Sequence, residues 1–255
     1  MQILFLLILG LLQGLCEFLP ISSSGHLVLF SNIFGIEDSL FVSIILHVAT
    51  LLAILVVFKK DVFYMVRHPF SKQSMSIVIA TIPTALIVLV LMPLINQSFS
   101  EGGVILACSF LLSAIILIAV EYYSKKHKNE KEFTYKNAII MGIAQGIAVF
   151  PGLSRSGTTI SAGLFSGAGK ESCAKFSFLM SIPVIILSML LEIIKIFIYG
   201  ETITVNLLGL LLAFIVAFIV GVLSIKLMIK LTTKVNFKWF SLYLIIISVV
   251  TLIIG

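Results

Sequence analysis

Residues 10–25 read GLLQGLCEFLPISSSG, and residues 142–157 read GIAQGIAVFPGLSRSG. The two stretches align without a gap. Seven of the sixteen positions are identical, namely Gly10/Gly142, Gln13/Gln145, Gly14/Gly146, Phe18/Phe150, Ser22/Ser154, Ser24/Ser156 and Gly25/Gly157. Unrelated segments would share one or two, so the chain contains one plan written twice. Each copy sets Pro, Gly and hydroxyl residues inside apolar surroundings, a composition that breaks a helix and frees backbone groups. The copies differ where charge matters: Glu17, Ser23 and His26 of the first face Val149, Arg155 and Thr158 of the second. One copy supplies a carboxylate and an imidazole, the other a guanidinium.

The surroundings of the repeat set the solvent. The chain has 255 residues, 60% of them hydrophobic and only 11% charged, with a mean hydropathy of +1.22. That excludes an ordinary soluble domain and predicts an integral membrane protein. Apolar runs at 41–58, 76–95, 103–123, 176–198, 206–228 and 239–255 approach or exceed the roughly 17–25 residues that cross the hydrocarbon as a helix. Six spans are expected. The first twenty residues lack a basic leading region, and Glu17, Pro20 and the serines stand where a signal-peptide cleavage site would need small residues; they are expected to stay in the mature protein. Cys16, Cys108 and Cys173 have no metal-ligand spacing and read as small packing residues.

The net charge of +6 is distributed in a way that argues against nucleic acid. Lys59, Lys60, Arg67 and Lys72 separate the first two spans, and Lys125, Lys126, Lys128, Lys131 and Lys136 follow the third. Lys170 and Lys175 precede the fourth, and Lys226, Lys230, Lys234 and Lys238 surround the last connection. The connections 31–40, 96–102 and 199–205 hold no Lys or Arg but carry Glu37, Asp38, Glu101 and Glu201. The positive-inside rule makes the basic loops cytoplasmic. Both 124–136 and 167–175 are then on that side, so 137–166 must enter the membrane and return, and by the same parity 1–30 dips in from the other face. Broken backbone in a bilayer is tolerated where protein or a wet cavity satisfies it. The expected fold is an all-α integral membrane protein: six transmembrane helices plus two re-entrant broken-helix hairpins in an inverted-topology repeat, with the two tips facing each other. One membrane domain, 1–255, divides into repeat one (1–123: hairpin 1–30, spans 41–58, 76–95, 103–123), a basic cytoplasmic loop (124–136) and repeat two (137–255: hairpin 137–166, spans 176–198, 206–228, 239–255). Eight full spans are the alternative, but they would leave Glu17, His26 and Arg155 in hydrocarbon without a reason.

An ionisable residue at that depth costs at least about 2.5–3.5 kcal/mol and marks a candidate site. Glu17, His26 and Arg155 meet the criterion. Arg155 lies in Ser154-Arg155-Ser156-Gly157-Thr158-Thr159, where hydroxyls, backbone N–H groups and a helix N-terminus can converge on an anion. Its planar fork donates two parallel hydrogen bonds to a phosphate. Ser22-Ser23-Ser24-Gly25-His26 repeats the hydroxyl-rich turn. Carboxylate, hydroxyl, imidazole and guanidinium together suit phosphoryl transfer. Gln13 and Gln145 suit hydrogen bonds across the pseudo-symmetric interface, His47 reads as an interhelical histidine, and Glu192 with Lys195 as a snorkelling pair; His47, Glu192 and Lys195 are left outside the site.

QGLCEFLPISSSGH (13–26) and PGLSRSGTTISAG (151–163) resemble the two signature regions of the undecaprenyl-diphosphate phosphatase family, the bacitracin-resistance phosphatases. The similarity runs along the whole chain, including FSFLMSIP at 176–183. It implies a hydrolase of the bacterial cytoplasmic membrane that converts undecaprenyl diphosphate to the monophosphate and inorganic phosphate. That activity recycles the lipid carrier of cell-wall and peptidoglycan synthesis. Position by position, the resemblance implies catalytic roles for Glu17, Ser23, His26 and Arg155, and phosphate contacts from Arg155, Ser154, Ser156 and Thr159. Ser22 and Ser24 of the matching turn join them as phosphate-binding candidates. It also implies a divalent cation, Mg²⁺ or Ca²⁺, for which Gln13 and Glu17 are the candidate ligands; the family admits Glu or Gln at the first of these positions, so Glu17 is the motif's one carboxylate. Phosphatidic-acid-type phosphatases also pair Ser-Gly-His with Ser-Arg, but their nucleophilic histidine follows the arginine, and no such residue follows Arg155 here. The nucleophile is Ser23 or an activated water. The rival reading is an inverted-repeat anion or lipid transporter or flippase, since the fold alone serves both.

Overall fold

The computed structural model describes residues 1–36, 39–100, 103–127, 131–199, 205–232 and 236–254. Glu37, Asp38, Glu101, Lys128, Glu201 and Lys234 lie outside the described residues, as do the side chains of Glu192 and Lys195. Among the described residues there are eleven helices: α1 (Gln2–Cys16), α2 (Ser23–Phe34), α3 (Ser39–Val57), α4 (Lys59–Arg67), α5 (Lys72–Ser100), α6 (Gly103–Lys126), α7 (Tyr135–Ile147), α8 (Arg155–Phe165), α9 (Lys170–Tyr199), α10 (Leu207–Thr232) and α11 (Lys238–Ile254).

Within them, Lys72–Ile95, Gly103–Lys126, Lys170–Leu191 and Leu207–Leu231 are long and apolar enough to cross a membrane. A fifth candidate arises where Phe41–Val57 and Lys59–Arg67 are joined through an 81° bend. The expected span 41–58 therefore ends in a corner, and the basic segment after it, read from sequence as a connection, is the helix α4. At 17 residues α11 is a shorter apolar helix, and α1 has 15. Leu89, Val90, Leu111, Leu208, Leu223 and Ile253 are exposed on the outside of these helices. An apolar exterior over a close-packed interior is the arrangement lipid requires and water penalises.

Two helix–break–helix units, α1–α2 and α7–α8, enter this bundle by matched contacts. α1 lies along α10, and α7 along α5. At the first crossing Gly10 meets the backbone carbonyl of Ala213, and at the second Gly142 meets that of Ala80. A methyl group at either glycine would collide with main chain, so small residues set the interhelical distance, as is common in membranes. Phe18, Phe110, Leu117, Met141, Ile160, Leu179 and Met180 fill one core between the units, and Leu6, Leu9, Leu46 and Ala213 fill a second beside α1. Residues beside both breaks, Phe18 and Leu153, are buried in the bundle.

Candidate functional site at the junction of the two breaks

The first break runs between Cys16 and Ser23. Pro20 offers no N–H there, and Ser22 takes a positive φ of 67°, sparsely populated for any residue with a Cβ. Ser22 restarts the chain as a helix cap: its hydroxyl accepts from the Gly25 N–H at 3.3 Å. In the second break Gly152 takes φ 88°, and Ser154 caps α8 by accepting from the Gly157 N–H at 3.1 Å. The breaks touch. A Cβ on Gly25 would stand 2.7 Å from the Gly152 Cα, and the Ser156 hydroxyl donates to the Leu19 carbonyl at 3.0 Å. The N-termini of α2 and α8 thus open on one region, with Arg155 as the first residue of α8 and Ser23 the first of α2.

Glu17 is the hub of that region and is 5% exposed. Its Oε1 pairs with the Arg155 guanidinium. Its Oε2 accepts from the Ser23 hydroxyl at 2.5 Å and from Gln13 Nε2 at 3.2 Å. Gln13 Nε2 also donates to Thr50 Oγ1 of α3 at 3.2 Å. A buried carboxylate needs such neutralisation and hydrogen bonding to remain charged. The arrangement has chemical consequences: one carboxylate oxygen faces an alcohol proton, and the other orients a cation.

His26 is placed differently. It is fully buried, with Nδ1 2.7 Å from the Ser22 carbonyl and Nε2 2.6 Å from the Tyr243 hydroxyl of α11. The carbonyl can only accept, so Nδ1 carries a proton, and in the neutral imidazole the tyrosine hydroxyl donates to Nε2. The ring is sandwiched in aromatic contacts with Phe30, Phe110 and Tyr243. His26 therefore sits beside the break that holds Ser23, bonded to Ser22 and Tyr243.

The hydroxyls divide into two groups. Ser22 and Ser154 cap helices, Ser156 bonds Leu19, and Thr159 is fully buried against Ser177 Oγ at 2.7 Å and the Arg155 carbonyl at 2.8 Å. Ser24 is partly exposed, 3.5 Å from Ser22 Oγ. Gln13 and Gln145 do not meet: Gln145 bonds Thr84 and the Met180 carbonyl, each at 3.4 Å. Three groups join the site from outside the repeat, among them His47, which the sequence suggests as an interhelical histidine beyond it. His47 directs Nε2 to 3.7 Å from Glu17 while Nδ1 bonds the Ser43 carbonyl, Thr50 supports Gln13, and Tyr243 holds His26. The polar spacing of His47 and Thr50 inside an apolar run was a signal for the first two. Tyr243 carried none, because only the tertiary fold brings α11 to α2.

For a divalent cation the donor chemistry fits in part. Gln13 Oε1 is buried with no hydrogen-bond partner among the described residues, and it lies on the side chain already bonded to Glu17. No group of three or more His, Cys, Asp and Glu side chains gathers among the described residues. A hard cation here would draw on one carboxylate, one amide oxygen and the oxygens of a bound phosphate, the usual style of Mg²⁺ sites.

Fold and site together define a class: a multi-pass, all-helical membrane protein whose polar centre is assembled where two broken helix pairs meet. Over residues 6–250 the sequence matches the family described as bacitracin resistance protein BacA, and the chain belongs to that family. Similar proteins include the undecaprenyl-diphosphatase of Carboxydothermus hydrogenoformans, 36% identical over 97% of this chain and 95% of that protein. That of Parabacteroides distasonis is 41% identical over 81% of this chain and 80% of its own. That of Methanosphaera stadtmanae is 39% identical over 82% and 83%.

Proposed function

We infer that this chain hydrolyses undecaprenyl diphosphate to undecaprenyl phosphate and inorganic phosphate in the bacterial cytoplasmic membrane, the activity that regenerates the cell-wall lipid carrier and underlies bacitracin resistance. The observation that carries the reading is the buried set in which Glu17 binds Arg155 through one oxygen and the Ser23 hydroxyl, at 2.5 Å, through the other. Family membership and the names of the relatives support the same substrate.

In the mechanism Arg155 binds the diphosphate oxygens by its fork, aided by the N–H groups at the starts of α2 and α8. Glu17 takes the Ser23 proton as Oγ attacks the terminal phosphorus. The bond to the bridging oxygen breaks, undecaprenyl phosphate leaves, and water then releases the phosphate from serine. Water attacking in place of Ser23 would use the same base. His26, held by Tyr243 and Ser22, fixes the turn that presents Ser23. The caps at Ser22 and Ser154, with Ser156 and Thr159, hold the two N-termini in place, while Ser24 is exposed enough to meet phosphate. Glu17 and Gln13 Oε1 would hold the Mg²⁺ or Ca²⁺ that the family implies, which supplies charge neutralisation to the phosphate oxygens.

The same reading takes α1–α2 and α7–α8 as re-entrant hairpins, with α3, α5, α6, α9, α10 and α11 as the six spans of an inverted repeat. The matched crossings of α1 on α10 and α7 on α5, and the matched serine caps, support it. The basic loops are cytoplasmic in this arrangement. Purified protein in detergent, where no compartments exist, is expected to release inorganic phosphate from undecaprenyl diphosphate. Movement of the lipid across liposomes with no hydrolysis in either setting would replace the phosphatase by the transporter.

A further inference from the structure

The corner after α3 creates a surface that the proposed hydrolysis does not use. α4 begins two residues after the last residue of α3, with Phe58 buried as the hinge between them, and turns through 81°. With α3 as a spanning segment, α4 lies across the end of the bundle, at the level where the chain leaves the hydrocarbon. Its two faces differ sharply. Asp61 points inward, bonded to Lys175 Nζ at 2.7 Å and Gln73 Nε2 at 3.1 Å, and Val62 and Met65 pack on the larger core. At about 100° per residue the remaining positions fall on the opposite arc. That arc holds Lys59, Lys60, Phe63, Tyr64, Val66 and Arg67, all exposed, and Phe70 just beyond is 88% exposed. Arg67 lies over the Phe63 ring at 5.1 Å, and the helix's one acid is turned away.

We propose that the outward face of α4 binds the anionic headgroups of the leaflet on the basic side of the protein. Phe63, Val66 and Phe70 enter the headgroup–acyl boundary, and Lys59, Lys60 and Arg67 pair with lipid phosphates. A helix with apolar and basic side chains interleaved on its free face, lying along the interface, has the chemistry of anionic-bilayer binding. The inward ties of Asp61 and Val62 fix its rotation, so the orientation exists before lipid arrives. Because α3 also carries His47 and Thr50, the anchor would steady the C-terminal end of the helix that lines the site.

Trp239 is the chain's one tryptophan, which allows a direct test. Full-length protein carrying Trp239→Phe and Phe63→Trp is placed in nanodiscs of equal phosphatidylglycerol and phosphatidylcholine. Bromine is put on shallow acyl carbons of one lipid or the other. The brominated anionic lipid is expected to quench the fluorescence of the indole introduced on α4 at least about twofold more than the brominated zwitterionic one. The excess should vanish in Lys59→Gln/Lys60→Gln/Arg67→Gln, and, without that variant, when salt is raised to shorten the screening length. Equal quenching by the two lipids, or quenching by neither, overturns the proposal.

Discussion

Residue by residue, the site depends on geometry more than on charge. Arg155→Lys keeps the cation but loses the fork, and kcat/KM is expected to fall at least about tenfold, corresponding to roughly 1.4 kcal/mol of barrier. Full phosphate release by that variant would contradict the clamp. Glu17→Gln leaves a hydrogen-bonding side chain that cannot take a proton, and should lower kcat by about 10²- to 10⁴-fold. Ser23→Ala separates the two nucleophiles: with serine attacking, rapid quench of the wild type with terminally labelled substrate should yield a phosphopeptide containing Ser23, and the variant should yield neither peptide nor turnover. Turnover by Ser23→Ala would assign the attack to water. Tyr243→Phe removes only the hydroxyl that donates to His26 Nε2 at 2.6 Å. Its expected cost is about 1 kcal/mol, the usual size of an interhelical hydrogen bond in a membrane protein, read as a lower unfolding midpoint in detergent. An unchanged midpoint would mean that His26 is held by its neighbours alone.

Among the elements, the two broken pairs are held by equivalent crossings, and equivalent changes should have equivalent effects. Gly10→Ala on α1 and Gly142→Ala on α7 each push a methyl group into a backbone carbonyl, of Ala213 and Ala80 respectively. Each should cost about 1–3 kcal/mol by overpacking, again as a lowered unfolding midpoint. A neutral result at one site with a penalty at the other would break the equivalence. The elements were unequally legible. Long apolar runs announced α5, α6, α9 and α10, since a helix in lipid must satisfy its own backbone. The breaks were legible too, because Pro20, Ser22, Gly152 and Ser154 are residues that interrupt and cap helices. α4 was not: nine residues of mixed aromatic and basic character, Lys59–Arg67, have no long apolar run, and the ties of Asp61 to Lys175 of α9 and Gln73 of α5 that hold the helix against the bundle are tertiary contacts.

For the molecule as a unit, the proposed orientation, with the basic loops cytoplasmic, rests on where lysines gather. Salt bridges draw one basic end together: Lys175 meets Asp61, and Lys72 meets Glu132 at 2.7 Å. In a cysteine-free background, Lys60→Cys should react with an impermeant maleimide only after the membrane is opened, whereas Asn206→Cys, exposed at the start of α10, should react on intact cells. Labelling of Lys60→Cys on intact cells would invert the assigned topology.

The solvent, the helical class and the family could be read from the chain alone, because hydropathy and a repeated sixteen-residue motif are properties that need no contacts to be seen. Glu17, Ser23 and Arg155 likewise stood out as chemically expensive or reactive residues in an apolar setting. Which groups touch was settled by packing in three dimensions. Glu17 meets Arg155 across 138 positions of chain because glycines at the two breaks let backbone meet backbone. His26 turns to Tyr243, and His47 to Glu17, because helix packing selects partners by position in space, and spacing along the chain does not encode it.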